Sequence, residues 1–536
     1  MNYISLLGLL LNAGVIAGPI HVADADSSHH QVCLKVAMRN DGSFAVAWVD
    51  SLRIPAPVNQ ESKTNIYIRF FDADGKPLGE VYKLPKLVDS NWVYDPCLDM
   101  DSAGNTILIW REAPIRLSTY WDIRYQRFSF GKAPTDVPKT LKSKIYKPLV
   151  SIRAFHADLN QKDELALAWG QIVWDSFFRE QIWVQRFNYQ GEALDSAFMA
   201  HSEKYKDSRY AYKYPSVAIN DKGYIVVTWV DRINTIHEFP RMQVFSPDDE
   251  LLYYADSIGR RVDENPDTIY GASHLEPHWL DEDRFVVFWP TYCSPWRRAI
   301  LLGRVFSNRG LTAYSERIIV QDERGLSTSG NSGEAGVYST SVSGDNFVFT
   351  SSVVYRDTSS NRDLYWNHCG GVIGEVKNNQ PVRRTNYFEY TPKWYPDTMH
   401  CIIDYVWHTV IPAVACNKSR IVWVYPRFNK DTIFEAYALI TDWDMGVGVG
   451  EFPVISTSNW QLVSSVGHQI VLQYADMATG FHASIFDASG CKVDELHASS
   501  TSGTVSWGSS VPSGVYFIRE LSTPNPSSAH KVVLIR

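Results

Sequence analysis

The sequence predicts an all-β protein, a seven-bladed β-propeller with four-stranded blades followed by a C-terminal Ig-like β-sandwich. Three observations lead to this prediction: a strand ending in Trp recurs at a regular spacing, a second strand motif keeps step with it, and the repeat stops near residue 454. The 536 residues exceed what one hydrophobic core usually organises, so a repeat array or several domains are expected. The 18 Trp, 29 Tyr and 24 Phe also favour pleated, half-buried strand surfaces.

The first repeated motif is a short apolar run that ends in tryptophan. Its copies are Phe44–Trp48, Ile107–Trp110, Leu165–Trp169, Ile225–Trp229 and Phe285–Trp289. Successive Trp residues are 62, 59, 60 and 60 positions apart. A sixth copy ends at Ser351, 62 residues later, and a seventh at Trp423 after a further 72. Self-similarity at a fixed period is the mark of a repeat architecture.

The second motif follows each Trp and alternates apolar with polar residues, as a strand with one buried face does. Its copies are Ile66–Phe71, Ile123–Phe128, Ile182–Phe187, Met242–Phe245 and Leu301–Phe306. Asp, Asn and Gly turn residues bracket both motifs, so each unit is predicted to hold four strands and few helices. Four-stranded units repeated in this way favour a propeller over residues 26–453. The alternatives are an array of β-sandwiches or a β-solenoid.

These units resemble the divergent propeller-like repeats of many bacterial exported proteins. The shared pattern joins the Trp strand to a second strand ending in Gln-Arg-Phe, as at Gln126–Phe128 and Gln185–Phe187. The resemblance covers about residues 32–451, and its later copies are degraded. It implies a fold and a surface location but no activity.

Net charge and hydropathy argue against nucleic-acid binding and against a transmembrane helix. The net charge is −8 and no Lys/Arg cluster stands out, so we expect no nucleic-acid binding. No apolar run approaches the roughly 20 residues of a transmembrane helix.

Residues 1–25 hold a short apolar stretch, Ile4–Leu11, that ends in small residues and is typical of a signal peptide. A first β-strand is the alternative.

Residues 454–536 form a separate module of short alternating strands with Gly turns, as expected of an Ig-like sandwich. It closely resembles the type A C-terminal sorting domain of the type IX (Por) secretion system. The matching positions are the Ile485–Gly490 strand and turn, Trp507, the Ser513–Phe517 strand with Gly514 and Tyr516, and the terminal strand that begins at Lys531. The resemblance implies that the outer-membrane secretion machinery is a partner and that the protein is secreted or displayed on the cell surface. Cys491 and Gly508 depart from the family's pattern, and an ordinary terminal Ig-like module is the alternative.

Ligands of propellers usually bind where the variable loops converge, and two series of residues lie at that end of the predicted strands. The first comprises polar residues two positions past each Trp: Asp50, Glu112, Gln171, Asp231 and Thr291. The second lies at the entries to the opening strands: Trp92, Tyr94, Asp95, Tyr146, Tyr212, Tyr214, His274 and Glu276. Together they predict an acidic, aromatic funnel suited to a glycan, peptide or protein ligand. The alternative is structural, because polar residues at strand ends satisfy backbone groups and aromatic residues pack between blades.

No motif identifies a reaction. The carboxylate pairs Asp50/Asp231 or Glu112/Glu276 could act as acid and base in glycoside cleavage, but the sequence does not set their separation. The His274–His278 spacing is similar to a zinc motif, although Pro277 prevents the required helix. Asp72–Gly75 matches half a calcium loop and is better interpreted as a turn.

The seven cysteines are scattered without metal-ligand spacing and favour buried free thiols over disulfides. We therefore expect no cofactor and no metal. The leading hypothesis is an exported propeller that binds a glycan, peptide or protein partner without catalysis. The alternatives are a secreted carbohydrate-active hydrolase or lyase, and a structural surface or adhesion component.

Overall fold

The structure is a computed structural model. It describes residues 14–25, 29–52, 64–113, 121–134, 136–142, 150–174, 178–205, 214–232, 238–255, 258, 269–272, 275–293, 298–308, 317–321, 338–357, 364–385, 388–390, 412–428, 433–445, 460–464, 466–475, 480–487, 491–520 and 530–535. Every regular element in these ranges is a β-strand. None of these residues belongs to a helix long and apolar enough to cross a membrane. The chain divides into two compact units, residues 1–450 and 451–536.

The strands of the first unit follow one another in chain order. The first seventeen are β1 (Val15–His21), β2 (His29–Met38), β3 (Phe44–Leu52), β4 (Asn65–Phe71), β5 (Pro77–Lys83), β6 (Trp92–Met100), β7 (Asn105–Ala113), β8 (Asp122–Ser129), β9 (Lys139–Lys142), β10 (Val150–Leu159), β11 (Glu164–Trp174), β12 (Phe178–Asn188), β13 (Phe198–Tyr205), β14 (Ser216–Ile219), β15 (Ile225–Arg232), β16 (Glu238–Phe245) and β17 (Leu251–Ala255). The remainder are β18 (Ile269–Ala272), β19 (Glu276–Trp279), β20 (Arg284–Cys293), β21 (Arg298–Ser307), β22 (Arg317–Gln321), β23 (Tyr338–Ser343), β24 (Asn346–Asp357), β25 (Leu364–Lys377), β26 (Gln380–Arg383), β27 (Phe388–Glu389), β28 (Ala413–Cys416), β29 (Ile421–Phe428) and β30 (Phe434–Thr441).

These strands form seven antiparallel sheets within the described part of the unit. In the first four, consecutive strands are neighbours: β2–β5, β6–β9, β10–β13 and β14–β17. The fifth runs β18-β20-β21-β22 with β19 also paired to β20, and the sixth runs β23-β24-β25-β26 with β27 paired to β25. The seventh runs β28-β29-β30 and is completed by β1 from the other end of the unit. The repeating four-stranded sheet predicted from sequence is confirmed.

The sheets contact one another in a closed cyclic order. The opening strand of each sheet contacts that of the next, from β2 through β6, β10, β14, β19, β23 and β28, and β28 contacts β2 again. Side chains of the tight turns join neighbouring sheets, since Asn160 Nδ2 donates to the carbonyl of Asn220 and Asn220 Nδ2 to that of Glu282, both at 3.0 Å. Asn417 Nδ2 donates to the carbonyl of Arg39 at 3.0 Å and so joins the seventh sheet to the first. The arrangement is propeller-like.

The repeated Trp residues pack the interior of this unit. Each lies on the second strand of its sheet, and the side chains of Trp48, Trp110, Trp229, Trp289 and Trp423 are among the largest that are fully buried. The Phe at the end of the second motif lies on the third strand, where Phe71, Phe128 and Phe306 are also buried. Ser351, the substitute for Trp in the sixth copy, is buried as well. Burying an aromatic side chain of this size stabilises the fold by about 2–3 kcal/mol.

A β-strand lies within residues 1–25, the segment for which the sequence predicted a signal peptide or, alternatively, a first strand. Strand β1 pairs antiparallel with β30, with Val15 opposite Thr441 and His21 opposite Tyr437. Val22 is fully buried and donates its N–H to the carbonyl of Ala436 at 2.9 Å. The apolar run Ile4–Leu11 lies outside the described residues, and the segment from Val15 onward completes the seventh sheet.

The second unit has its own core. Its strands are β31 (Trp460–Ser464), β32 (Val466–Gly467), β33 (Ile470–Tyr474), β34 (Phe481–Asp487), β35 (Lys492–Ala498), β36 (Gly503–Trp507), β37 (Gly514–Glu520) and β38 (His530–Leu534). They form a sheet of order β31-β33-β36 and a second of order β32-β38-β37-β34-β35. Apolar residues from both sheets, among them Leu472, Ile485 and Ile518, pack in one cluster.

Candidate functional site

The opening strands are edge strands, and side chains of the preceding sheet satisfy their unpaired backbone N–H groups. A buried donor left unpaired would cost about 1–3 kcal/mol, so the edge needs such acceptors. Asp99 accepts from the N–H of Leu159, Asp158 from Ile219 and Glu276 from Thr340, each at 2.7 Å. Three carboxylates on the opening strands therefore join sheet to sheet.

Asp99 and Asp158 also interact with each other. Both lie half-buried on the opening strands of adjacent sheets. Burial raises the pKa of Asp99 to about 6, and burial with the neighbouring Asp99 charge raises the pKa of Asp158 well above its ordinary range. A hydrogen bond between the two carboxyl groups favours the protonated form of Asp158 and the ionised form of Asp99. The pair therefore holds one proton more readily than two isolated aspartates would.

Glu276, a predicted ligand residue, lies between the fifth and sixth sheets. Its carboxylate accepts hydrogen bonds from both the backbone N–H and the hydroxyl of Thr340. His278 Nε2 lies 2.7 Å from the same hydroxyl oxygen, and burial lowers the pKa of His278. Since the carboxylate is engaged by the next sheet, the structure gives Glu276 a role in packing.

Three of the polar residues that lie two positions past a Trp are buried in the described part of the chain. Asp50, Glu112 and Gln171 are 9%, 2% and 7% exposed. The physical reason is the period of a strand: residues two apart point to the same face, so each shares the buried face of its Trp. The structure therefore gives these three residues buried positions, where the sequence predicted an accessible funnel. Only the backbone of Asp231 is described.

Glu112 shows what such a buried carboxylate does. It accepts hydrogen bonds from the N–H of Leu87 at 2.6 Å and from Asn91 Nδ2 at 2.8 Å, both in the segment that joins the first sheet to the second. Arg124 Nε lies 3.6 Å from its second oxygen, and both side chains are almost completely buried. The carboxylate is therefore engaged inside the protein by groups from the joining segment and from β8.

Gln171 is engaged in the same way. Its side-chain amide donates to Gln181 Oε1 at 2.8 Å, directly across the β11–β12 pair, and Trp183 Nε1 donates to the same oxygen at 3.1 Å. Polar groups at this end of the sheet satisfy one another.

Three other predicted residues, Trp92, Tyr94 and Asp95, lie together at the loop end of the second sheet. Trp92 and Tyr94 lie two apart on β6 with stacked rings whose centroids are 5.6 Å apart. Trp121, just before β8, presents its ring edge-on to Tyr94 at 5.8 Å. Both Trp rings are buried while Tyr94 is half-buried. Tyr94 is therefore the accessible member of an aromatic group held in place by two buried indoles.

A charged pair borders this aromatic group. Asp95 has a φ of +52° at a bulge in the pairing of β6 with β7, which turns its side chain outward to 52% exposure. It forms an ion pair with Arg111, which lies directly opposite Tyr94 on β7. The Arg111 guanidinium also lies over the Trp121 ring, 4.9 Å from its centroid. Trp92, Tyr94, Asp95, Arg111 and Trp121 are called the second-sheet cluster below.

Sequence reasoning missed Arg111 and Trp121. Arg111 lies directly opposite Tyr94, and the signal that would have found it is the pairing register of β6 with β7, which a bulge shifts between Tyr94 and Cys97. Trp121 precedes β8 and reaches Tyr94 through a ring contact. Of the other candidates, Tyr214 is half-buried just before β14. Tyr146, Tyr212 and His274 lie outside the described residues.

The C-terminal motif residues lie within the second unit's core or at its strand ends. Trp507 and Tyr516 are buried with ring centroids 5.0 Å apart, and Trp507 Nε1 donates to Asp494 Oδ2 at 2.7 Å. Gly514 begins β37 opposite Leu534, and Lys531 lies on β38 opposite Phe517. Gly490 lies outside the described residues.

No family model and no curated protein matches the chain. Among solved structures, it is similar to a protein of unknown function from Dyadobacter fermentans, with 10% identity, a TM-score of 0.40 and coverage of 79% of this chain and 97% of the other. It is also similar to the Trypanosoma rangeli sialidase, with 7% identity, a TM-score of 0.37 and 86% of each chain covered. The β-propeller domain of the trilobed protease from Pyrococcus furiosus gives 9% identity, a TM-score of 0.37 and coverage of 80% and 100%.

Proposed function

We propose that residues 15–450 form a seven-bladed propeller that binds a saccharide at the second-sheet cluster. The observation that carries the proposal is the half-buried Tyr94 ring, held between two buried Trp rings and bordered by the Arg111–Asp95 ion pair. The same face of the cluster therefore offers an aromatic surface together with charged hydrogen-bonding groups.

This chemistry suits a sugar better than an apolar ligand. An aromatic ring packs against the CH face of a pyranose, while a carboxylate accepts from hydroxyl groups and a guanidinium donates to hydroxyl or acidic oxygens. Cation–π contact with Trp121 and the ion pair with Asp95 hold the Arg111 side chain in one orientation. Such preorganisation reduces the entropy lost on binding.

Binding of the full-length protein to a broad glycan array tests this proposal. We expect retention of one saccharide class, lost in Tyr94→Ala and weakened in Asp95→Asn. Tyr254→Ala is the matched control, because Tyr254 is 39% exposed on β17 of the fourth sheet. A saccharide bound equally by wild type and Tyr94→Ala would exclude the cluster, and binding of none would contradict the proposal.

We further propose that the second unit is an Ig-like sandwich that acts as a sorting domain for the type IX secretion system and brings the protein to the cell surface. The buried Trp507–Tyr516 contact supports this proposal, because it links two of the motif positions in one core.

Deletion of residues 458–536 in a host with this secretion system tests the sorting role. The truncated chain should accumulate in the periplasm, while the intact protein reaches the surface. Protease resistance of the remaining propeller controls for misfolding. Surface delivery of a folded, truncated chain would refute the sorting role.

A further inference from the structure

Three potential metal ligands meet on one face of the second unit. His482 on β34 and His497 on β35 are directly opposite each other in the antiparallel pair, and their rings stack with centroids 3.9 Å apart. Glu495 lies two positions before His497, so it shares that face of the strand. One ligand atom from each of the three residues lies within 4.8 Å of the others.

The carboxylate is already aligned with both imidazoles. Glu495 Oε1 lies 2.7 Å from His482 Nε2, and Glu495 Oε2 lies 3.8 Å from His497 Nε2. Lys492 Nζ lies 3.0 Å from Oε1. Hydrogen bonds from His482 and Lys492 lower the pKa of Glu495 to about 2, so its carboxylate is ionised at neutral pH.

We propose that His482, Glu495 and His497 bind a divalent transition-metal ion of the zinc type. Two imidazoles and one carboxylate are a common ligand set for Zn²⁺, with a fourth position left to water. Ligand atoms of a tetrahedral zinc at about 2.0–2.1 Å lie roughly 3.4 Å apart, which small rotations of these surface side chains supply. Imidazole ligands favour this class over Ca²⁺ or Mg²⁺, which prefer all-oxygen sites.

The arrangement has a consequence for Lys492. A bound cation takes over the Glu495 carboxylate, so the Lys492 ammonium must move away from it. Removal of the ammonium should therefore strengthen metal binding. If the three residues only stabilised the fold, removal of Lys492 would not increase the affinity for a metal. The metal would also fasten β34 to β35, so it should stabilise the second unit against heat.

Titration of the metal-free, full-length protein with ZnCl₂ by isothermal calorimetry tests the site. We expect His482→Ala and His497→Ala each to weaken this binding at least tenfold, and Lys492→Ala to strengthen it. His468→Ala is the matched control, because His468 is an exposed histidine of the same unit. Zinc should also raise the melting temperature of wild type but not of His497→Ala.

Unchanged zinc affinity in both histidine variants would overturn the proposal, as would absence of zinc binding by the wild type. His497 is the safer of the two test positions, since its side chain is 64% exposed and its removal should leave the fold intact. Near-ultraviolet circular dichroism of each variant would confirm this.

Discussion

The side-chain amide of Asn417 donates a hydrogen bond to the carbonyl oxygen of Arg39 at 3.0 Å, across 378 positions of sequence. Asn160 and Asn220 make the corresponding bond from their own sheets to the next. The same device thus links consecutive sheets along the chain and also the last sheet to the first. The cycle is therefore closed by the same asparagine hydrogen bond that joins the other sheets, and strand β1 completes the seventh sheet.

Replacement of Asn417 by Asp tests this closure. The new carboxylate can still accept from the N–H groups of Ser419 and Arg420, as Asn417 Oδ1 does at 2.9 Å, but it cannot donate to Arg39. We expect the free energy of unfolding of the first unit to fall by about 1–3 kcal/mol, measured by urea denaturation. Asn220→Asp should cost a similar amount, and an unchanged stability of Asn417→Asp would contradict the closure.

Glu112→Gln separates a structural from a ligand-binding role. The amide keeps an acceptor for Leu87 and Asn91 but removes the charge beside buried Arg124. Loss of one partner of a buried ion pair typically costs about 3–5 kcal/mol, so we expect a clearly lower midpoint of chemical denaturation. Saccharide affinity of the folded variant should be unchanged. Reduced saccharide affinity with an unchanged free energy of unfolding would instead indicate that Glu112 binds the ligand.

The Asp99–Asp158 pair predicts a pH dependence of stability. Both carboxyls have a raised pKa in the folded protein, that of Asp99 being about 6, so between about pH 4 and pH 6 the folded state binds more protons than the unfolded state. The contribution to stability is therefore present at low pH and is lost as the pH rises through this window.

Asp158→Asn should flatten this part of the profile. The neutral amide can donate to Asp99 and accept from Ile219 without binding a proton, so the variant should gain stability relative to wild type as the pH rises from 4 to 7. The difference between the two proteins is the readout, because the pKa of Asp195 is also raised to about 6. Parallel profiles, measured by denaturation at each pH, would show that the pair does not share a proton.

The sequence predicted the repeating sheet because strand period and turn chemistry are local properties. The Trp positions from Trp48 to Trp289 follow from that pattern, and all five are buried. Pairing between distant segments is not local, so the addition of β1 to the seventh sheet was missed. Cys33 and Asp95 both have a left-handed φ of +52°, and each lies at a bulge in an opening strand. The sequence did not predict these bulges, because neither residue is Gly.

The candidate site was predicted only in part, for the same reason. Trp92, Tyr94 and Asp95 are close in sequence and were found together. Arg111 joins them through its pairing opposite Tyr94, and Trp121, which precedes β8, joins them through the contact of its ring with Tyr94. The residue type of Glu112 did not reveal the buried face that it shares with Trp110, whose indole Nε1 lies 3.4 Å from its carboxylate.

The most direct test of the saccharide-binding proposal is calorimetric titration of the full-length protein with the sugar selected on the array. Stacking of a sugar on a half-buried aromatic ring predicts saturable binding in wild type and in Tyr254→Ala. Tyr94→Ala should lose at least tenfold in affinity, equivalent to about 1.4 kcal/mol, while keeping the wild-type melting temperature. Equal affinity of the folded Tyr94→Ala variant would contradict the assignment of the binding site to the second-sheet cluster.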